Sequence, residues 1–194
     1  MRVFIVYAHP SADSFTREAK DSFIKGLESA GHSYVISDLY GMNFITDMSE
    51  AEYLREAYYR RDESVPADVV MEQEKINLCD AIVFIFPLFW SDAPAKMVGW
   101  FNRVWTYGFA YGEDRAMKHL EKGLVICCAG NTMEYFQKTG ILSAIEKVML
   151  EDRLYDRVKN RELLILDGTS RESPLRQQNR KKHLERAFSA GVSF

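Results

Sequence analysis

The residues best equipped for chemistry stand where apolar runs stop. Directly after Val3-Phe4-Ile5-Val6-Tyr7-Ala8 comes His9-Pro10-Ser11-Ala12-Asp13-Ser14-Phe15-Thr16, a polar loop with hydroxyls at 11, 14 and 16 that runs into a helical pattern. A helix start offers unpaired N–H groups and the positive end of its dipole, so this loop suits an anion such as phosphate. A plain helix cap by Asp13 or Ser14 is the competing reading. After Ala81 to Phe86, the loop Pro87-Leu88-Phe89-Trp90-Ser91-Asp92-Ala93-Pro94 sets bulky rings between two prolines, which lowers the ordering cost of gripping a flat ligand. It can also be a packed loop over the sheet edge, since large aromatics usually go inside. After the run from Leu124, Ala129-Gly130-Asn131-Thr132-Met133-Glu134-Tyr135 begins with small residues that permit close backbone approach. A phosphate cradle beside two loops that clasp a ring has the shape of a flavin nucleotide site.

These loops need elements to hold them at one edge. Val3 to Ala8, Ala81 to Phe86 and Leu124 to Ala129 are unbroken apolar runs, as in strands buried on both faces of a parallel sheet. Tyr34 to Ile36 and Leu163 to Leu166 supply two more. Between them, Phe15, Ala19, Phe23 and Leu27 recur at steps of four, predicting a helix from Ser14 to Ala30. Ser49-Glu50-Ala51-Glu52 is a capping box that opens a helix to about Arg60. Pro66 begins one reaching about Leu78, and Pro94 begins one that Gly108 ends. A helix carries Ile141, Ile145 and Val148, and Ser173-Pro174 starts a last one to about Ala190. Strands alternating with helices predict one domain over residues 1–194, an open doubly wound α/β sheet of five parallel strands in the flavodoxin-like order 2-1-3-4-5. In such sheets ligands bind beyond the carboxyl ends of the strands.

Other chemistries lack their motifs. No G-x-G-x-x-G follows a strand, and Gly26 to Ser33 imitates Walker spacing only at the end of a helix, with His32 in place of the lysine. There is no HExxH or Cys/His cluster for a metal, and no G-x-S-x-G elbow. Lys and Arg number 25 against 28 Asp and Glu, a net charge of −3 that disfavours a nucleic-acid partner. Cys79, Cys127 and Cys128 are an odd set without CxxC spacing, suited to reduced thiols in the cytoplasm. Cys127 and Cys128, being adjacent on a strand, point to opposite faces and read as core. No apolar run approaches the ~20 residues of a membrane helix.

Taken in order, these residues resemble a known family. His9 with Ser14-Phe15, the stretch Ser37 to Phe44, Gln73, Phe86-Pro87-Leu88-Phe89-Trp90, Pro94-Ala95, Gly99 to Val104 and Gly108-Phe109-Ala110-Tyr111 are similar to the flavodoxin-like NAD(P)H:quinone oxidoreductases, including DT-diaphorase and its shorter bacterial relatives. The resemblance covers most of the chain to about residue 135. It implies a flavin with His9, Ser14, Phe15 and Thr16 around the phosphate and Pro87, Leu88, Phe89 and Trp90 along the isoalloxazine. It further implies backbone groups of Ala129 and Gly130 at the pyrimidine edge and Tyr135 as the catalytic tyrosine beside the ring. Enzymes of this family take a hydride from NAD(P)H and pass two electrons to a quinone from the same pocket, and they act as homodimers. The rings of Tyr53, Tyr58, Tyr59, Phe109 and Tyr111, more than one small core needs, agree with a dimer.

Departures from the family pattern bear on what is expected. Thr16 replaces an asparagine, Cys127-Cys128 replaces paired threonines, and Ala129-Gly130 replaces a glycine pair. Ile141 stands where the mammalian enzyme pairs a histidine with its tyrosine, leaving Tyr135 or water to handle the proton. The absence of the long C-terminal extension favours FMN, with FAD as the other candidate. The first functional reading is a flavin-dependent NAD(P)H oxidoreductase acting on quinones or similar acceptors. The second is a flavin-binding regulatory subunit of a potassium efflux transporter, and a third, least favoured, is a flavodoxin-type electron carrier.

Overall fold

The computed structural model describes residues 1–194. Strands β1 (Arg2–Tyr7), β2 (Ser33–Asp38), β3 (Ala81–Pro87), β4 (Leu120–Cys128) and β5 (Val158–Leu166) form one parallel sheet of order β2-β1-β3-β4-β5, as the sequence predicts. The central strands are paired on both edges and covered on both faces, which is why they read as unbroken apolar runs. From Val3 to Ala8 and from Ala81 to Phe86 almost nothing is exposed.

Successive strand residues feed two cores. Phe4, Val6, Phe84 and Cys127 face α3 (Ala67–Leu78) and α4 (Ala95–Val104), while Val3, Ile5, Ile85 and Cys128 face α1 (Phe15–Ser29) and α7 (Pro174–Val192). All three cysteines are free and buried. Helices α1 and α7 pack almost backbone to backbone. A Cβ on Gly26 would fall 2.1 Å from the Phe188 carbonyl oxygen, and one on Gly191 would fall 2.2 Å from that of Phe23. The spacing that imitates a Walker loop is therefore a helix-packing site.

On the other face, Phe84, Trp100, Phe101 and Trp105 form one aromatic cluster, with Phe84 and Phe101 centroids 4.7 Å apart and Trp100 and Trp105 5.0 Å apart. Its polar atoms are satisfied. The Trp100 indole N–H donates to buried Glu72 (2.8 Å), which also takes the Ser37 hydroxyl at 2.9 Å. Arg103, 3% exposed, binds Glu52 at 2.7 Å and forks onto Asp68, tying α4 to α3 and to α2 (Glu50–Ala57), whose start is the expected capping box.

Several boundaries differ from the sequence reading. Pro66 and Pro94 stand just before their helices, α2 stops at Ala57 and α4 stops at Val104. β5 begins at Val158, its first half masked in the sequence because it is an edge strand with residues 159–162 exposed. The helix expected around Ile141, Ile145 and Val148 is broken into α5 (Met133–Thr139), α6 (Ile141–Glu146), a π-helical stretch Lys147–Leu154 and a 3-10 turn Tyr155–Arg157. Distant rings hold that unusual stretch: the Trp105 indole donates to the Arg153 carbonyl at 3.0 Å, and Arg153 and Arg157 lie over Phe101 and Trp105. Tyr53, Tyr58 and Tyr59 are exposed, but Phe109 is buried in the core and the Tyr111 hydroxyl donates to Glu56 at 2.8 Å.

Candidate functional site

The carboxyl ends of β1, β3, β4 and β5 open onto a cavity of about 290 Å³. His9, Ser14, Phe15, Thr16, Pro87, Leu88, Phe89 and Gly130, from three separate loops, all line it. Ser14 is the N-cap of α1, in extended backbone, and its Oγ accepts the Arg17 N–H at 3.1 Å. That bond uses the oxygen as acceptor, and the same hydroxyl also faces the buried Tyr7 phenol. The N–H groups of Phe15 and Thr16 make no bond within the protein, as expected in a helix's first turn. Burial pulls the His9 pKa down, so the ring is neutral at pH 7, and its Nδ1 lies 2.9 Å from both the N–H and the C=O of Ser11, which pins it in either tautomer.

The β3 loop is a tight turn. Phe89 and Asp92 exchange backbone hydrogen bonds of 2.8 and 3.0 Å, and Trp90 and Ser91 between them take φ of 52° and 65°. Such left-handed backbone costs a non-glycine residue roughly 1–2 kcal/mol. The strain thrusts the Trp90 ring wholly into solvent, outside the cavity lining, and leaves Phe89 half-exposed at its edge.

After β4, Gly130 lines the cavity while Ala129 does not. Ala129 is fully buried, its N–H bonds Leu166 at 2.9 Å, and its C=O takes both the N–H (2.8 Å) and the hydroxyl (2.9 Å) of Thr169. A Cβ on Gly130 would sit 2.5 Å from Ser170 Oγ, so the loops of β4 and β5 meet closely and a side chain there would have to turn the Ser170 hydroxyl aside. Tyr135 is also outside the lining, 45% exposed on α5. The start of α5 is held by the Asp167 carboxylate, which accepts the Met133 N–H at 3.0 Å. Ile141 is half-buried against the aromatic core.

The sequence reading missed Thr169, Ser170, Arg171 and Arg176, which wall the cavity from the β5 side. Their signal was positional only, since Asp167 to Ser173 follows a strand as the other loops do. It also placed Cys128 in the core alone. The thiol is buried there yet reaches the cavity wall, and burial pushes its pKa up to about 12, keeping it protonated. Arg171 and Arg176 against Asp13 leave one positive charge in excess among the Arg and Asp side chains of the lining, which suits an anion.

A doubly wound sheet with its cavity at the β1/β3 switch point defines a flavodoxin-like protein. Residues 1–189 match the family model described as a flavodoxin-like fold. The ribosyldihydronicotinamide dehydrogenase [quinone] of Pongo abelii is 34% identical over 159 residues, 72% of this chain and 68% of that one. The rat NAD(P)H dehydrogenase [quinone] 1 is 37% identical over 123 residues, 57% of this chain but 45% of its own length. The solved structure of the NAD(P)H:quinone oxidoreductase from Methanothermobacter marburgensis has a TM-score of 0.94 at 46% identity, covering 100% of this chain and 96% of that one. The chain belongs to the flavodoxin-like family of NAD(P)H:quinone oxidoreductases and is an oxidoreductase.

Proposed function

We propose that the protein binds one flavin, FMN in preference to FAD, accepts electrons from NAD(P)H and passes two of them to a quinone or similar small acceptor by a ping-pong mechanism. The observation that carries this is the convergence of three loops, residues 9–16, 87–89 and 130, on one cavity lined by hydroxyls, two arginines, the first turn of α1 with its free N–H groups, and Phe89. This donor set fits a phosphorylated, planar ligand, and Gly130 gives the backbone the close approach such a ring requires. When bound, the flavin supplies the ring that takes up and releases hydride.

The residues of the chain have separate tasks in this reading. Phe15 and Thr16 N–H groups and the Ser14 hydroxyl bind the phosphate, with His9 donating beside them. Pro87, Leu88 and Phe89 orient the ring, and Trp90, on its strained turn, folds over it to exclude water. Gly130 meets the ring edge through its backbone. Tyr135 holds the proton that accompanies the electrons, acting without the histidine partner that Ile141 replaces.

The protein is proposed to work in the cytoplasm as a homodimer; no helix is long and apolar enough to cross a membrane. Helix α3 is apolar on two sides. Val69 and Ile76 point inward, while Val70, Met71 and Leu78 are exposed beside a groove of about 450 Å³ floored by Phe109. The quinone reaction is tested by initial rates at varied NADH or NADPH and varied quinone with FMN present. Parallel double-reciprocal lines are expected; converging lines contradict the ping-pong step, and no turnover with either nucleotide contradicts the activity.

A further inference from the structure

Asp13 is out of character in the cavity wall, because a carboxylate beside a phosphate cradle repels the ligand unless it is neutralised. Its partner comes from the opposite wall. Arg171 Nη2 donates to the Asp13 carbonyl at 2.9 Å and lies 3.3 Å from its carboxylate, so a residue of the β5–α7 loop bridges to the β1–α1 loop. Both side chains are well exposed, which places the bridge at the cavity mouth.

Each end is anchored independently. On one side the Ser11 hydroxyl contacts both the N–H and the C=O of Asp13 at 3.2 Å, and Arg17 donates to the Ala12 carbonyl at 3.1 Å. On the other, Thr169 is bonded twice to Ala129, and the Gly168 N–H donates to the Asn131 carbonyl at 3.0 Å. The bridge joins two loops that are already held, so it closes the mouth at little further cost in chain entropy.

We propose that the Asp13–Arg171 bridge makes the site selective for a flavin ending in a phosphomonoester, FMN, over the dinucleotide FAD; the inference rests on the flavin reading above. A phosphate seated at the start of α1 ends inside the bridge. FAD continues from that phosphate into a second phosphate and an adenosine, which must leave through the mouth. Passage breaks the Arg171 bonds and turns the freed Asp13 carboxylate toward the second phosphate. The cavity, about 290 Å³, is at the small end of the range for ligand pockets, so the second phosphate and the adenosine would lie outside it, beyond the bridge. Loss of one exposed ion pair and one hydrogen bond predicts a preference for FMN of ~10-fold.

The test is titration of flavin-free protein with FMN and with FAD separately, following flavin fluorescence, for the wild type, Asp13→Ala, Arg171→Ala and Arg171→Lys, with thermal unfolding of each. Both flavins lose the same attraction when the Arg171 charge is removed, so the ratio of the two dissociation constants isolates closure of the mouth. The expected ratio is ~10 in the wild type and approaches 1 in Arg171→Ala, with Asp13→Ala and Arg171→Lys between, because the first keeps the bond from Arg171 to the carbonyl of residue 13 and the second keeps the charge on a different, unbranched head. Unchanged melting temperatures are expected at these exposed positions. An equal ratio in all four proteins, or wild-type protein that binds FAD as tightly as FMN, overturns the inference while leaving the flavin reading intact. Wild-type protein that binds neither overturns both.

Discussion

Ser14 caps α1 through its oxygen, and the same hydroxyl is the one proposed to meet the flavin phosphate. Aspartate caps a helix about as well as serine but sets a carboxylate against a phosphate. Ser14→Asp is therefore expected to keep its melting temperature and to weaken flavin binding at least ~10-fold, from loss of a charge-assisted bond and gain of a like charge; unchanged flavin affinity would reduce Ser14 to a cap. Trp90 offers the opposite separation. Asparagine tolerates left-handed backbone, so Trp90→Asn should raise stability by about 1 kcal/mol in urea unfolding while weakening flavin binding. If flavin affinity is untouched, the exposed ring has no part in the site. At this scale the sequence made much of the cavity legible, because His9, Ser14, Phe89 and Gly130 follow apolar strands directly. Arg171 and Thr169 escaped because nothing in a short polar segment distinguishes a cavity wall from an ordinary turn. Ala129 lies outside the lining for a reason the sequence hides: its small side chain is visible there, but the use of both its backbone groups by Leu166 and Thr169 is not.

Among the elements, the periodic ones were readable and those held by distant contacts were not. The buried runs of β1, β3 and β4 marked the central strands directly, whereas the π-helical stretch is held by Trp105 and Phe101, the Trp105–Arg153 bond spanning 48 residues of sequence. Arg103 is the polar tie that holds α2, α3 and α4 together. Replacing it by leucine strands Glu52 and Asp68 near each other and is expected to cost about 3 kcal/mol at pH 7. The hydrogen bonds from Arg103 hold the Asp68 pKa below its usual 3.8. A lowered folded-state pKa stabilises above the unfolded value, and that share is lost as pH falls through the folded one. The gap between wild type and Arg103→Leu in urea unfolding should therefore narrow from about pH 4 downward. A gap that stays constant to pH 2 would show that Asp68 gains nothing from the pair.

For the molecule as a whole, the outward apolar side of α3 is the surface a second copy would cover. Light scattering at micromolar concentration is expected to give twice the 22.4 kDa chain mass, and Met71→Glu with Leu78→Glu should give the single mass with the fold retained. A wild type that already scatters as one chain contradicts the dimer. The central claim is that electrons enter from a nicotinamide and leave to a small acceptor through one bound flavin. Its most direct test is anaerobic spectroscopy of protein reconstituted with FMN, to which NADH or NADPH is added and then a quinone. The account predicts that the visible flavin band bleaches with at least one nucleotide and returns in full, at one quinone per flavin, when the acceptor is added. Protein that retains no flavin, or a band that neither nucleotide bleaches, would contradict it.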